Sequence, residues 1–316
     1  MKLPHGFLPR PGAVPSMPAA VGASGLHLAE ATTESKAAPP VASALTVGTL
    51  IYAFGTLNYT FANGARRDLV VQEMLPGTPF LRHDLVTYLA AHPAQAEWLT
   101  WTLNVDATSI YALRPAAAFS RVLYTQLRQW LGQFPEGTHI HLSVPGVVTG
   151  TTRLLSGEVV PVLQPVLHGL YCWSPEDLLH QFMLDGKLDA NEQRQIDEID
   201  ERIDKFQQRV YAELRNRGAT PQERALNYAA TEAFQLLYVQ MSDPTQDIQD
   251  LELSEVVAAA SPLCRADSAP HCWDVELRFF DPDAHLTRAR HVYRFTVDVS
   301  DVLPVMLGDH GEWEYA

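Results

Sequence analysis

An amide and a carboxylate stand two positions apart in one extended stretch, residues 98–115. From Trp101 onward apolar residues alternate with polar ones, which predicts a strand that carries Asn104 and Asp106 on the same face. Both side chains can form hydrogen bonds with a ligand or with nearby backbone. Their pairing matches no known catalytic constellation, so the residues alone predict a soluble α+β domain and no particular chemistry.

Two arginines precede an aspartate just after the Asn63-Gly64 turn signal. The guanidinium groups of Arg66 and Arg67 could together hold a carboxylate, because arginine forms paired hydrogen bonds with that group. The alternative is an internal ion pair with Asp68 that fixes the loop. The residue types favour the internal pair and leave carboxylate binding as the second interpretation.

A histidine pair lies in the next predicted strand, residues 138–146. His139 and His141 are two positions apart, so we expect them on one face, where two imidazoles can chelate a metal ion. No third ligand accompanies them in the sequence. Exposed or hydrogen-bonded histidines are therefore the favoured interpretation.

The cysteines offer a second set of candidate metal ligands. Cys264, His271 and Cys272 suggest zinc, but their spacing is not that of a zinc finger and a fourth ligand is not identified. His168 and Cys172 are too far apart on an extended segment to act as base and nucleophile, so Cys172 is predicted to be buried and structural. We predict no cofactor, with zinc as the alternative.

Composition excludes several classes of partner. The formal net charge of the 316 residues is −14, which opposes binding to nucleic acid. No apolar run reaches the roughly 18 residues of a membrane helix, and prolines interrupt the N-terminal segment where a signal peptide would need an apolar stretch. Three cysteines form no disulfide framework. These features predict a cytoplasmic protein without a membrane partner.

Two regions differ in composition. Residues 1–46 are rich in Pro, Ala, Gly, Ser and Thr and predict a flexible arm, because they can bury little apolar surface. A docking peptide for a partner is the alternative interpretation of this arm. Residues 47–316 hold the large apolar residues and predict a single domain.

The periodicities within residues 47–316 predict an α+β fold with antiparallel sheets. Apolar residues from Phe119 to Phe134 recur every three or four positions and predict an amphipathic helix against a sheet. A long helix at 189–217 and a second helix at 220–241, opened by a capping box, predict a helical hairpin. The charged face of this hairpin is most simply solvated, with a homodimer or a partner helix as the alternative. Residues 272–280 and 291–299 alternate and predict a β-hairpin.

Ten segments, in order along the chain, resemble one known module. They are YAFGTLNY (52–59), ARRD (65–68), WTLNVDAT (101–108), IYALRP (110–115), SVPG (143–146), GLYCW (169–173), RALNYAA (224–230), SPLC (261–264), CWDV (272–275) and VSDVLPV (299–305). The module is the C-terminal domain of unknown function of the cyanobactin maturation proteases of the PatA/PatG type.

This resemblance implies a biosynthetic context more than a chemistry. The domain occurs in pathways that convert a ribosomal precursor peptide into a modified, often cyclic, natural product (a RiPP), and it has no assigned catalytic residues. The segments His-Gly-Thr and Gly-Thr-Ser of a subtilisin-like protease are absent from this sequence, so Ser-His-Asp proteolysis is not expected. A stand-alone copy is similar to the peptide-binding proteins of crocagin-type pathways.

The expected function is to bind a precursor peptide, through its leader or its core, and to present it to tailoring enzymes for maturation or cyclisation. An extended peptide can add to a free strand edge. The candidate contacts are polar or aromatic residues of the matching segments: Arg66, Arg67, Asn104, Asp106 and Tyr111. One alternative is a metal-dependent cyclase or hydrolase that uses His139, His141 or the cysteines. Another is a scaffold that joins pathway enzymes through the long helix.

Overall fold

The computed structural model describes nine stretches of the chain. They are residues 45–74, 81–105, 107–133, 139–173, 216–241, 252–263, 271–280, 290–308 and 311–315. The chain divides into Met1–Ser43 and Ala44–Ala316, and every described residue belongs to the second unit. The predicted arm at 1–46, apart from its last two residues, lies outside the described residues. So does most of the first helix of the predicted hairpin, at 189–217.

Six strands form the first sheet. They are β1 (Leu50–Phe61), β2 (Leu99–Val105), β3 (Thr108–Leu113), β4 (His141–Arg153), β5 (Val159–Pro165) and β6 (Tyr171–Trp173). The strand order is β1-β2-β3-β5-β4-β6, and β1 also pairs with β4, so β1 to β5 close into a barrel. The sequence predicts antiparallel sheets, but β3 and β5 pair in parallel. The chain between them passes through a helix and β4, which is long enough for a parallel crossover.

Three helices accompany the barrel: α1 (Gly64–Met74), α2 (Arg82–Ala91) and α3 (Ser120–Gln133). The helix α3 confirms the predicted amphipathic helix, because Leu123, Leu127 and Leu131 are buried in the same apolar cluster as the barrel residues Trp101 and Leu142. Its predicted first apolar position, Phe119, is instead 55% exposed and belongs to a short 3₁₀ turn before the helix.

Five strands form the second sheet. They are β7 (Glu252–Ala260), β8 (Cys272–Phe280), β9 (Arg290–Asp298), β10 (Val305–Met306) and β11 (Gly311–Tyr315). The order is β10-β9-β8-β7, and β11 pairs with the first half of β9. The predicted hairpin is confirmed, since β8 and β9 pair antiparallel from Cys272 opposite Asp298 to Phe279 opposite His291.

The helix α4 (Pro221–Met241) is the second helix of the predicted hairpin, and its existence is confirmed. It begins with the predicted capping box: the Glu223 amide donates to Oγ1 of Thr220 at 3.1 Å, and Oε2 of Glu223 accepts from the Thr220 amide at 3.3 Å. Among the described helices, none combines the length and apolar character needed to cross a bilayer.

Small side chains let α4 pack closely against both sheets. Ala225, Ala229, Ala230 and Ala233 are buried in a cluster that joins Phe54 of β1 to the apolar face of the second sheet. Alanine brings the helix backbone near its neighbours at no cost in side-chain entropy. The helix α4 therefore links the barrel to the second sheet.

Candidate functional site

The two candidate arginines are exposed on α1 and have different partners. Arg67 pairs with the adjacent Asp68 at 2.9 Å, with both side chains about half exposed, which is the internal ion pair that the residue types favoured. The Arg66 guanidinium lies over the Trp98 ring, 5.8 Å from its centroid. Among the described residues, no carboxylate pairs with Arg66. Its charge is therefore available to an anionic group.

Asn104 lies at the end of β2 beside an irregularity in the pairing with β3. Its side chain is 7% exposed, and its Oδ1 atom has no hydrogen-bond partner within the described part of the chain. Strand β1 approaches closely here because Gly55 has no Cβ. A Cβ at this position would collide with the Asn104 carbonyl. A buried acceptor without a partner costs about 1–3 kcal/mol, so Asn104 favours an incoming donor.

Tyr111 is fully buried in the barrel, and its hydroxyl donates to the Arg217 carbonyl at 2.9 Å. Burial also raises the pKa of this hydroxyl. The side chain thus holds the segment before α4 against the barrel and offers no surface to a peptide, so we exclude Tyr111 from the proposed contacts. Asp106 lies outside the described residues, and its role as a contact stays a prediction.

The candidate residues do not converge on one pocket. Trp98, which contacts Arg66, immediately precedes β2, and Asn104 is the sixth residue of that strand. At about 3.3 Å per residue, six steps along a strand separate the two positions by roughly 20 Å. The arginines and Asn104 therefore lie at opposite ends of β2.

The two histidines of the second motif lie close together but differ in burial. His139 precedes β4 and is exposed, whereas His141 is 4% exposed and stacks on Phe54 with ring centroids 5.9 Å apart. The rings of His139 and His141 are 6.3 Å apart and nearly perpendicular. Burial lowers the pKa of His141 to about 3, with a smaller contribution from His139. In the described residues, the pair belongs to no group of three metal-binding side chains.

A buried polar network joins the barrel to α4, and sequence reasoning missed it. Oγ of Ser143 lies 3.0 Å from Oγ1 of Thr231, and that hydroxyl lies 2.9 Å from the Asn227 carbonyl. Nδ2 of Asn227 donates to the Tyr52 carbonyl at 2.7 Å. Ser143 is fully buried and its side-chain partners are the hydroxyls of Thr231 and Tyr52 rather than a general base, so it is not an activated nucleophile. The signal for this network was a serine between two apolar residues, Leu142 and Val144, in the first half of β4.

A second group that the sequence did not reveal in full contains three metal-ligating side chains. Single ligand atoms of His271, Cys272 and Asp298 lie within 4.8 Å of one another. Two of these residues were candidates from the sequence, and Asp298 was missed. The correct register of the predicted hairpin places Asp298 opposite Cys272 and would have identified it. The third candidate, Cys264, lies outside the described residues.

Cys172, which was predicted to be buried and structural, is partly buried. Its side chain is partly buried against the apolar cluster of the barrel, on the short strand β6. Cys172 is a thiol without a disulfide bond.

The barrel, α4 and the second sheet together form an α+β domain. Among the described residues, no known catalytic arrangement of side chains is recognised. A family model described as PatG C-terminal matches residues 193–313, and one described as PatG Domain matches residues 50–142. A solved structure named "PatG Domain of Unknown Function" is similar, with a TM-score of 0.66 and 34% sequence identity. The match covers 85% of this chain and 100% of that one. No curated protein matches the chain.

The chain belongs to the PatG domain family, and the resemblance inferred from its motifs is confirmed. PatG-type domains are parts of cyanobactin maturation proteins, which act in the biosynthesis of ribosomally made, modified peptides. This family membership supplies a biosynthetic context for the Arg66 guanidinium and the buried Asn104 amide described above.

Proposed function

We propose that this chain binds a ribosomal precursor peptide and presents it to tailoring enzymes of the same pathway. The observation that carries this proposal is the outward edge of β7 from Val256 to Ala260. Within the described residues, β7 pairs with β8 on one side, and no strand pairs with its other side. A peptide in extended conformation can add to such an edge through main-chain hydrogen bonds.

The hydrogen-bond alternation shows which groups β7 offers. The Ser261 amide donates to the Cys272 carbonyl at 2.9 Å, so Ser261 and Cys272 form a hydrogen-bonded pair at the end of the ladder. In an antiparallel ladder such pairs alternate with pairs whose amides and carbonyls point away from the partner strand. The backbone groups of Val256, Ala258 and Ala260 therefore point outward.

This edge is accessible to a peptide. Among the described residues, one side chain bonds to these outward groups: Nε2 of Gln222 donates to the Ala258 carbonyl at 3.3 Å. Gln222 is exposed and can be displaced by an incoming strand. The small side chains from Ala258 to Ala260 leave room for a neighbouring chain. A bulge and the charged Glu255 limit pairing nearer the start of β7.

Two of the sequence-predicted contacts remain in the proposal. Asn104 presents an unsatisfied but buried acceptor, which a peptide reaches only if neighbouring side chains move, and the adjacent Val105 packs against the same apolar cluster as Val256 of β7. Arg66 presents a free guanidinium beside an aromatic ring, which suits a carboxylate of the peptide. Arg67 is a weaker candidate, because Asp68 already holds its charge.

We expect the full chain to bind the precursor peptide encoded nearest its gene with a dissociation constant near micromolar, or about −8 kcal/mol. Isothermal titration calorimetry at two temperatures measures this. Ala260→Pro should weaken binding about tenfold or more, because proline removes the outward N–H and its ring obstructs strand addition. The inward hydrogen bonds of β7 do not use that N–H, so the fold should persist.

The matched control is Ala259→Thr. Ala259 is exposed on the same strand, but its backbone groups point toward β8 rather than toward the proposed peptide. It should bind as the unmodified chain does. Equal affinity of a folded Ala260→Pro variant would reject the edge of β7 as the binding surface. Absence of heat with the peptide, together with binding to a tailoring enzyme, would reject peptide presentation in favour of a scaffold.

A further inference from the structure

We propose that His271, Cys272 and Asp298 form a binding site for a divalent transition-metal ion of the zinc type. One ligand atom of each side chain lies within 4.8 Å of the other two. An imidazole nitrogen, a thiolate and a carboxylate oxygen are the three donor types that zinc accepts in proteins. The site lies on β8 and β9 of the second sheet, one strand in from the proposed peptide-binding edge of β7 and apart from the proposed contacts on β2 and α1.

The strand pairing explains why two of these side chains are so close. The Val299 amide donates to the His271 carbonyl at 2.7 Å, so His271 and Val299 form a hydrogen-bonded pair of β8 and β9. The next pair, Cys272 and Asp298, is therefore of the type without mutual hydrogen bonds. Side chains in such pairs approach each other more closely than in any other position of an antiparallel ladder.

The backbone around the site is fixed on both sides. The Cys272 carbonyl accepts from the Ser261 amide on β7 at 2.9 Å, which places Cys272 between two paired strands. The Ser300 amide donates to Oδ1 of Asp298 at 2.8 Å. This bond orients the carboxylate and leaves Oδ2 for a metal ion, as outer hydrogen bonds do in metal sites.

The donors need a small movement to bind a metal ion. In a tetrahedral zinc site, donor atoms lie about 3.5 Å apart, so the side chains must close by about 1 Å. Cys272 is buried, whereas His271 and Asp298 are partly exposed and give the ion a path from solvent. Three protein ligands leave a fourth position for water or for a group of a bound molecule.

The local charges are compatible with a divalent cation. On binding, the Cys272 thiol releases its proton to solvent and its sulfur forms the bond to the metal. Thiolate and carboxylate then carry two negative charges that neutralise the ion. The nearby Arg224 guanidinium opposes a cation, but its two terminal nitrogens donate to the carbonyls of Val299 and Asp301 rather than to the Asp298 carboxylate.

The test uses the full chain, stripped with chelator and titrated with zinc or cobalt(II). We expect about one equivalent of metal to bind, and cobalt to show the thiolate-to-metal absorption band of a cysteine ligand. Cys272→Ser should abolish that band, and Asp298→Asn should weaken zinc binding about tenfold or more. Cys172→Ser is the matched control, because it removes a cysteine on the other sheet, and it should bind as the unmodified chain does.

Two results would overturn the proposal: less than a tenth of an equivalent of tightly bound zinc in the unmodified chain, or an unchanged cobalt band in Cys272→Ser. Circular dichroism confirms folding before each titration. Because Asp298 is partly exposed, Asp298→Asn tests the site even where the buried Cys272 variant does not fold. Peptide binding is measured separately, so failure of either proposal leaves the other open to its own test.

Discussion

Replacing Gly218 by alanine is expected to destabilise the protein by about 3 kcal/mol. Gly218 has a φ of +68°, and a Cβ there would collide with the Tyr52 carbonyl and approach Nδ2 of Asn227 to 2.9 Å. The Tyr52 amide also donates to the Gly218 carbonyl at 3.0 Å. The substitution therefore strains the left-handed backbone and separates the turn before α4 from β1. Urea unfolding followed by circular dichroism measures the loss.

A matched substitution separates the two causes. Gly157 also has a positive φ, of +92°, but a Cβ there meets no atom within 4 Å. Gly157→Ala should therefore cost about 1–2 kcal/mol from backbone strain alone. Equal losses for the two variants would show that the contact between Gly218 and β1 contributes nothing to stability.

Local patterns were sufficient to predict several elements of this fold. Leucines at a spacing of four predict α3, because a single helix face can bury them together. The residues Thr220 and Glu223 predict the start of α4, because the capping box is contained within four residues. Alternation of apolar and polar residues in 272–280 and 291–299 predicts β8 and β9, because each alternating pattern is contained within a single strand. Each of these signals acts over a short segment of chain.

The closure of the barrel was not predictable in this way. It depends on β1 pairing with both β2 and β4, and Tyr52 of β1 faces Pro145, more than ninety positions later in the chain. No local pattern encodes such a pairing. Alternation in β2 predicts that its polar face is exposed to solvent. In the closed barrel this face is covered, and Thr102, which lies on it, is only 2% exposed. A polar position in a strand therefore does not establish a solvent-facing position when both faces of a sheet are covered.

The candidate site residues also differ in whether local sequence or the tertiary structure determines their role. Residue types identified Arg66 and Asn104, whose free guanidinium and unsatisfied amide remain the proposed contacts. Residue type also selected Tyr111, but this choice was wrong. An aromatic hydroxyl on a strand can lie at a surface or in a core, and the burial of Tyr111 places it in the core. Asp298 was missed because its role depends on the register between two strands rather than on its own neighbours.

Acidification should destabilise this protein through His141, beginning below neutral pH. The folded-state pKa of His141 is lowered to about 3 by burial, whereas its ordinary value is 6.5. Above pH 6.5 both folded and unfolded chains hold the neutral imidazole, so His141 makes no difference to the pH dependence. As the pH falls below 6.5, the unfolded chain takes up a proton that the folded chain does not. The loss from pH 7 to pH 5 should be about 2 kcal/mol.

Denaturant unfolding of His141→Gln at the same two pH values isolates this contribution. Glutamine keeps hydrogen-bonding capacity but cannot take up the proton, so the variant should be less stable at pH 7 and lose about 2 kcal/mol less on going to pH 5. His139→Gln, at the exposed neighbouring histidine, should retain the pH dependence of the unmodified chain. An identical slope in His141→Gln would mean that His141 is protonated in the folded barrel, and that its stacking on Phe54 tolerates the charge.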